Sequence, residues 1–273
     1  MLRMLLAFTL LMNFTWAQDT FTPGETKALK TEAVRLWQKR VDQQSLEEAL
    51  SKFEHIHSAE PENLEILTYL ARGYFTLAEL HITNEDLKKR NFEKARSFGE
   101  NGLALNPEFK KLASKDIEEA IDKLTEKDVT ILYWTAAALG KWARLNGIMS
   151  SLKYKGQILA MIKKVEKLKP DFYYAAVPRY WGGFYALAPS IAGGDMKKSK
   201  KKFHEAMERA PEYLGTKVLY AELYLVKKDD KKEFKKVLNE VIAAGNGPEE
   251  ITPENMLEKK KAERLLEQTG DLF

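Results

Sequence analysis

Imidazoles, an acidic side chain beside glycines, a lysine run and a crowd of aromatics are the groups in this sequence that could do chemistry. The chain has four histidines. His55 and His57 stand two apart in a segment that reads as helix, so their rings point about 200° apart and cannot share a metal ion. Neither His81 nor His204 belongs to an H-E-x-x-H motif, and there is no G-x-S-x-G elbow or phosphate-cradling glycine loop. The chain has no cysteine, which removes thiolate metal sites, a cysteine nucleophile and disulfides. Gly193-Gly194-Asp195 reads as a turn whose aspartate caps a helix starting at Met196. The run Lys197 to Lys202 would point all round a helix axis, so it reads as a solvated face rather than a nucleic-acid site. The sequence is therefore read as non-enzymatic, with no catalytic residue, metal ligand or cofactor.

The aromatics are more informative, because they gather in the middle of the chain. Tyr133, Trp134 and Trp142 fall on one expected helix, with Ala136, Ala137, Ala138 and Gly140 between them. Phe172, Tyr173, Tyr174, Tyr180, Trp181, Phe184 and Tyr185 are read onto the next long one, which also carries Arg179 and Gly182-Gly183. Glycine inside a helix costs about 1 kcal/mol relative to alanine. Such positions point to tight packing or to space kept open. Packed aromatic core is one reading of this region. The other is a pocket or pore lined by Tyr133, Trp134, Trp142, Arg179, Tyr180 and Trp181, apolar with a few polar handles. Arg179 is the handle suited to a carboxylate.

The elements that must hold these residues follow from a spacing that recurs four times. Ala49, Phe53, Ile56 and Pro61 are followed by Ala95, Gly99, Gly102 and Pro107, then Ile158, Ile162, Val165 and Pro170, then Ser199, Phe203, Ala206 and Pro211. Steps of 4 and 3 residues keep three small or apolar side chains on one helix stripe, and the proline lies beyond the helix end. Leu67, Leu70, Ala71 and Tyr74 match the partner helix of a tetratricopeptide-type pair. Lys217, Tyr220, Ala221 and Tyr224 match it less well, because lysine replaces a large apolar residue. The prolines are 46, 63 and 41 residues apart, whereas that repeat is about 34 long. The expected fold is all-α, an irregular tetratricopeptide-like α-α superhelix or bundle of helix pairs, with about 11–12 helices. Extra residues around His81 to Lys94 should lengthen a helix or make an excursion. Capping boxes are expected at Thr22 with Glu25 and at Ser45 with Glu48, and helix starts at Asp229-Asp230 and Thr252-Pro253.

Residues 1–17 read as a signal peptide. Arg3 is the positive start, Met4 to Met12 the apolar core, and Thr15-Trp16-Ala17 the cleavage site. The remainder, 18–273, is expected to be a single all-helical domain. No later stretch approaches the roughly 20 apolar residues of a membrane span. Hydrophobic residues make up 44% of the chain, against disorder, and the net charge of +4 is too small for a nucleic-acid footprint.

Order and spacing in the aromatic middle and the C-terminal third resemble a known family. Tyr133-Trp134, Ala136-Ala137-Ala138 and Trp142 are similar to a segment of the T-component (TatT) family of tripartite ATP-independent periplasmic (TRAP) transporters. So are Tyr180-Trp181-Gly182-Gly183 to Pro189, Gly193-Gly194-Asp195, Phe203, Ala206 and Met207, Val218 to Ala221, and Ala262 to Leu266. The resemblance implies an exported helical protein with cryptic tetratricopeptide-like repeats. It also implies pairing with a periplasmic solute-binding protein, a pore for an organic acid or a more hydrophobic ligand, and homo-oligomers. Members of the family are often lipoproteins, whereas this chain has no cysteine to carry a lipid, so a free periplasmic protein is expected. The alternative is a generic tetratricopeptide-like scaffold of the cell envelope that holds a peptide or helix in its concave face.

Overall fold

The computed structural model describes residues 23–273, so the expected signal peptide and the Thr22 cap lie outside the described residues. The fold is all-α, with fourteen α-helices and no strand among the described residues. That is two or three helices more than the spacing predicted. Four of the fourteen are short, and they account for the excess: α5 (Pro107–Leu112), α6 (Ile117–Asp122), α11 (Gly215–Leu219) and α14 (Thr269–Leu272).

The longer helices pack as neighbours in sequence, which is how an amphipathic helix buries its stripe at little loop entropy. α1 (Pro23–Gln38) lies on α2 (Gln43–Ala59), and α3 (Leu64–Thr76) on α4 (Glu85–Leu103). α7 (Val129–Leu145) lies on α8 (Ile148–Leu168), and α9 (Ala176–Leu187) on α10 (Met196–Arg209). α12 (Lys231–Ala243) packs against α13 (Thr252–Glu267). All four proline-ended stripes are buried, from Ala49, Phe53 and Ile56 in α2 to Ser199, Phe203 and Ala206 in α10. The residues around His81 to Lys94 extend α4 backwards, to a start capped by Asn84.

Three local features depart from the reading of the sequence. The cap of α2 is Asp42, whose carboxylate accepts from the Ser45 N–H at 2.8 Å, so Ser45 is already inside the helix. Phe172, Tyr173 and Tyr174 do not belong to the long aromatic helix. Tyr173, Tyr174 and Ala175 all have positive φ (43°, 52° and 55°), and α9 starts only at Ala176. The two helices α3 and α11 are each followed directly by a π-helical segment, Leu77–His81 and Tyr220–Leu225. A π turn exposes backbone to irregular pairing and is commonly found at functional sites. Each segment presents one glutamate, Glu79 and Glu222, toward the middle of the molecule.

α7 is the central helix. Eleven of its seventeen residues are buried, and it contacts α3, α4 and α8. A helix apolar nearly all round must be enclosed, and this one carries two of the candidate residues, Tyr133 and Trp134, into the interior, with Trp142 half-buried near its end.

Candidate functional site

A cavity of about 510 Å³ lies between α7, α8, α9 and the second π segment. Ala137, Gly140, Ile158, Leu159, Gly183 and Leu223 give it apolar walls. The two glycines of α9 divide the two roles foreseen for them. A Cβ on Gly182 would meet the ring of buried Phe203 at 2.8–2.9 Å, so this glycine serves the close approach of α9 and α10. A Cβ on Gly183 would find only Leu223, at 3.5 Å, and its bare face leaves room in the cavity.

The charged lining consists of Lys141, Arg144, Lys155, Arg179 and Glu222, four cations against one carboxylate. In a low-dielectric cleft such an imbalance attracts anions. Arg179 is 5% exposed. Its Nη1 donates to the Tyr174 carbonyl at 2.7 Å and its Nη2 to the Tyr173 carbonyl at 3.3 Å, while the guanidinium stacks over Tyr213 at 4.2 Å. Among the described residues no carboxylate forms a salt bridge with it; its partners are oxygens of uncharged groups. Burial opposes its charge, but Tyr213, Tyr133 and Tyr173 outweigh that, so it stays ionised. Burial, then the neighbouring Tyr133, pushes the Tyr180 phenol well above its ordinary value, so it serves as a neutral hydroxyl.

Behind this wall runs a ladder of ion pairs. Lys141 meets Glu79 at 2.7 Å, Glu79 meets Lys261 at 3.2 Å, and Lys261 meets Glu222 at 2.8 Å. Burial works against ionisation of Glu79, yet Lys141 and Lys261 hold its carboxyl far below the usual range. Burial likewise works against the Lys261 charge, and Glu79, Glu222 and Glu258 more than restore it. The ladder joins α7, both π segments and α13, so the polar end of the cavity is fixed by residues 182 positions apart.

Of the six candidate residues, the structure brings Tyr133, Arg179 and Tyr180 to the cavity. Trp134 packs against Phe75, Tyr133 and Tyr173, beneath the Arg72 guanidinium. Trp142 turns away from the cavity, toward Tyr154 and the guanidinium of Arg96. Trp181 stacks on Tyr185, and its indole donates to Glu166 at 3.3 Å. The cavity also uses Lys141 and Glu222, which sequence reasoning missed; Glu222 follows Tyr220-Ala221 of the repeat directly, which was a usable signal.

A family model for the TRAP transporter T-component matches residues 40–273. The chain belongs to that family. Comparison with curated proteins gives no match. The match covers every element that builds the cavity, so this T-component's cavity, ion ladder and apolar mouth all lie within the family region. Ile148 (65% exposed), Leu152 and Leu187 line that mouth, and Met149 and Ile191 (98% exposed) are their neighbours in sequence. These five are most of the large apolar side chains that the described residues expose, and three of them line the same cavity. No helix among the described residues is long and apolar enough to cross a membrane.

Proposed function

We propose that this T-component is a non-enzymatic, periplasmic accessory subunit that pairs with the solute-binding protein of its transporter. It passes an organic-acid or hydrophobic ligand through the α7–α9 cavity. The observation that carries this reading is the cavity itself: apolar walls, four cations to one carboxylate, and a mouth ringed by exposed Ile148, Leu152 and Leu187. Its volume lies within the range of roughly 300–1,000 Å³ that small-molecule sites occupy. Tyr133, Arg179 and Tyr180 contact the ligand, with Arg179 facing its acid group. Trp134, Trp142 and Trp181 hold the surrounding helices. The apolar rim docks the solute-binding protein, which shields it from water and continues the path.

The test is capture of partners from periplasmic extract by the tagged chain 18–273. Recovery of a solute-binding protein, and its loss in the double variant Ile148→Asp, Leu152→Asp, is the expected outcome. Recovery of envelope-assembly proteins alone would overturn the pairing and favour the scaffold alternative.

A further inference from the structure

The passage proposed above leaves one buried acid unused. Glu258, in α13, is 6% exposed, and its Oε2 is buried without a hydrogen-bond partner. Its Oε1 lies so near Gly215 that a Cβ there would meet it at 2.8 Å. The charged and titratable groups around it come from several elements. Lys261 and Glu254 are on its own helix, Glu79 and Glu222 on the two π segments, Arg179 on α9, and Tyr213 just before α11. Arg179 is itself a cavity wall, and its Nη1 lies 3.5 Å from the hydroxyl of Thr216, the residue after the Gly215 that Glu258 approaches, so Glu258 lies close to the polar end of the cavity.

The balance of charge at that end depends on Glu258. The cations nearest it are Lys141, Lys261 and Arg179, with Lys88 beside the ion ladder and Arg144 and Lys155 further along the cavity wall; the fixed anions are Glu79 and Glu222. Positive charge is in excess there in either form of Glu258, and its protonation raises that excess by one. Burial pushes its carboxyl up to about 7; Lys261 opposes this, and Glu79 and Glu222 add to it. An unpaired buried carboxylate is unfavourable, and a second negative charge nearby makes it more so.

We propose that the cavity takes up an organic anion together with one proton, and that the proton resides on Glu258. This rests on the reading of the cavity as a ligand site. The anion seats at Arg179, the proton comes from solvent, and no other bond forms or breaks. Bound anion and ionised Glu258 repel, so the complex keeps its proton to higher pH than the free protein.

The test uses octane-1-sulfonate, whose charge does not change with pH, and octan-1-ol as its uncharged counterpart. Calorimetry on the chain 18–273 should show sulfonate affinity falling by up to about tenfold per pH unit above 7, with octan-1-ol unaffected. Paired titrations at pH 8 in buffers of different ionisation enthalpy should show about one proton taken up per sulfonate bound. Glu258→Gln should flatten the pH dependence; should that variant fail to fold, the buffer comparison on the unaltered chain still decides. Sulfonate binding that is level across pH and takes up no proton overturns the linkage and leaves the cavity reading intact. So does binding of octan-1-ol without octane-1-sulfonate. A Glu258→Gln variant that keeps the slope overturns the assignment to Glu258. Failure of both probes at every pH removes the cavity reading and this inference with it.

Discussion

Arg179 does two jobs that the sequence could not separate. Its guanidinium bridges the carbonyls of Tyr173 and Tyr174 and so holds three successive residues in the left-handed region. Each such residue costs roughly 1–2 kcal/mol. The same planar group stacks on Tyr213, in a residue that also lines the cavity. Lysine can supply the charge but not the fork or the stack. Arg179→Lys is therefore expected to lower stability by roughly 1–3 kcal/mol, the worth of lost hydrogen bonds to a charged group. Urea unfolding would read it as a lower midpoint at unchanged slope. A midpoint equal to that of the unaltered protein would mean that the turn is held by its own tyrosines.

At the scale of the element, α9 shows how two adjacent glycines can have opposite reasons. Gly182→Ala gains about 1 kcal/mol of helix propensity. It also drives a methyl into three ring carbons of Phe203, which is fully buried and cannot retreat. Overpacking of this kind costs about 1–3 kcal/mol, so the net change is destabilising. Gly183→Ala meets only ordinary contact with Leu223 and should be neutral or stabilising by up to about 1 kcal/mol. Thermal unfolding of the two variants in parallel should shift in opposite directions or by clearly unequal amounts; equal losses would sink the division of roles. The stripes that built the helices were legible because they repeat every three or four residues, and Asp195 and Asp230 cap where their positions predict. The left-handed turn was not, because Phe172 to Tyr174 have the composition of the aromatic helix that follows and no glycine marks the turn. The cap of α2 fell to Asp42 because its carboxylate accepts from the Ser45 N–H and so starts the helix at Gln43, ahead of the expected serine cap. Among the candidates, Tyr133, Arg179 and Tyr180 share a face of the cavity. The tryptophans are equally buried or clustered, and sequence carries no sign of which face they take.

At the scale of the whole molecule, α13 carries a stripe that sequence disguises as solvated. Glu254, Glu258, Lys261 and Leu265 step by four, three and four residues, and all four are buried. Glu254 takes a two-pronged ion pair from Arg40 at 2.9 and 2.6 Å and a further bond from Arg72 at 2.9 Å, tying the end of α1 and the middle of α3 to the C-terminal part of the chain. Glu254→Ala would strand two guanidiniums, at a cost of roughly 3–5 kcal/mol. If residues 18–273 are one folding unit, that loss should lower a single cooperative transition; a second, separate transition would show that the ends fold apart. Glu258 gives the molecule a pH dependence of its own. Its carboxyl is raised from the ordinary 4.5 to about 7 by burial, so between those values the folded chain keeps a proton that the unfolded chain has released. The stabilisation is fully present below about pH 4.5 and lost as pH rises through about 7, a swing on the order of 3 kcal/mol. The carboxyls of Glu79 and Glu254 are depressed, so their contributions are lost only as pH falls below the ordinary range, outside this window. Glutamine at 258 keeps the shape and never ionises. The stability of Glu258→Gln minus that of the unaltered chain should therefore rise by about 2–3 kcal/mol between pH 5 and pH 8. Urea titrations at the two pH values give that difference directly, and contributions common to both proteins, including the histidines, cancel in it. A difference that stays constant across the window would show that Glu258 is ionised throughout, and the proton uptake assigned to it would go with it.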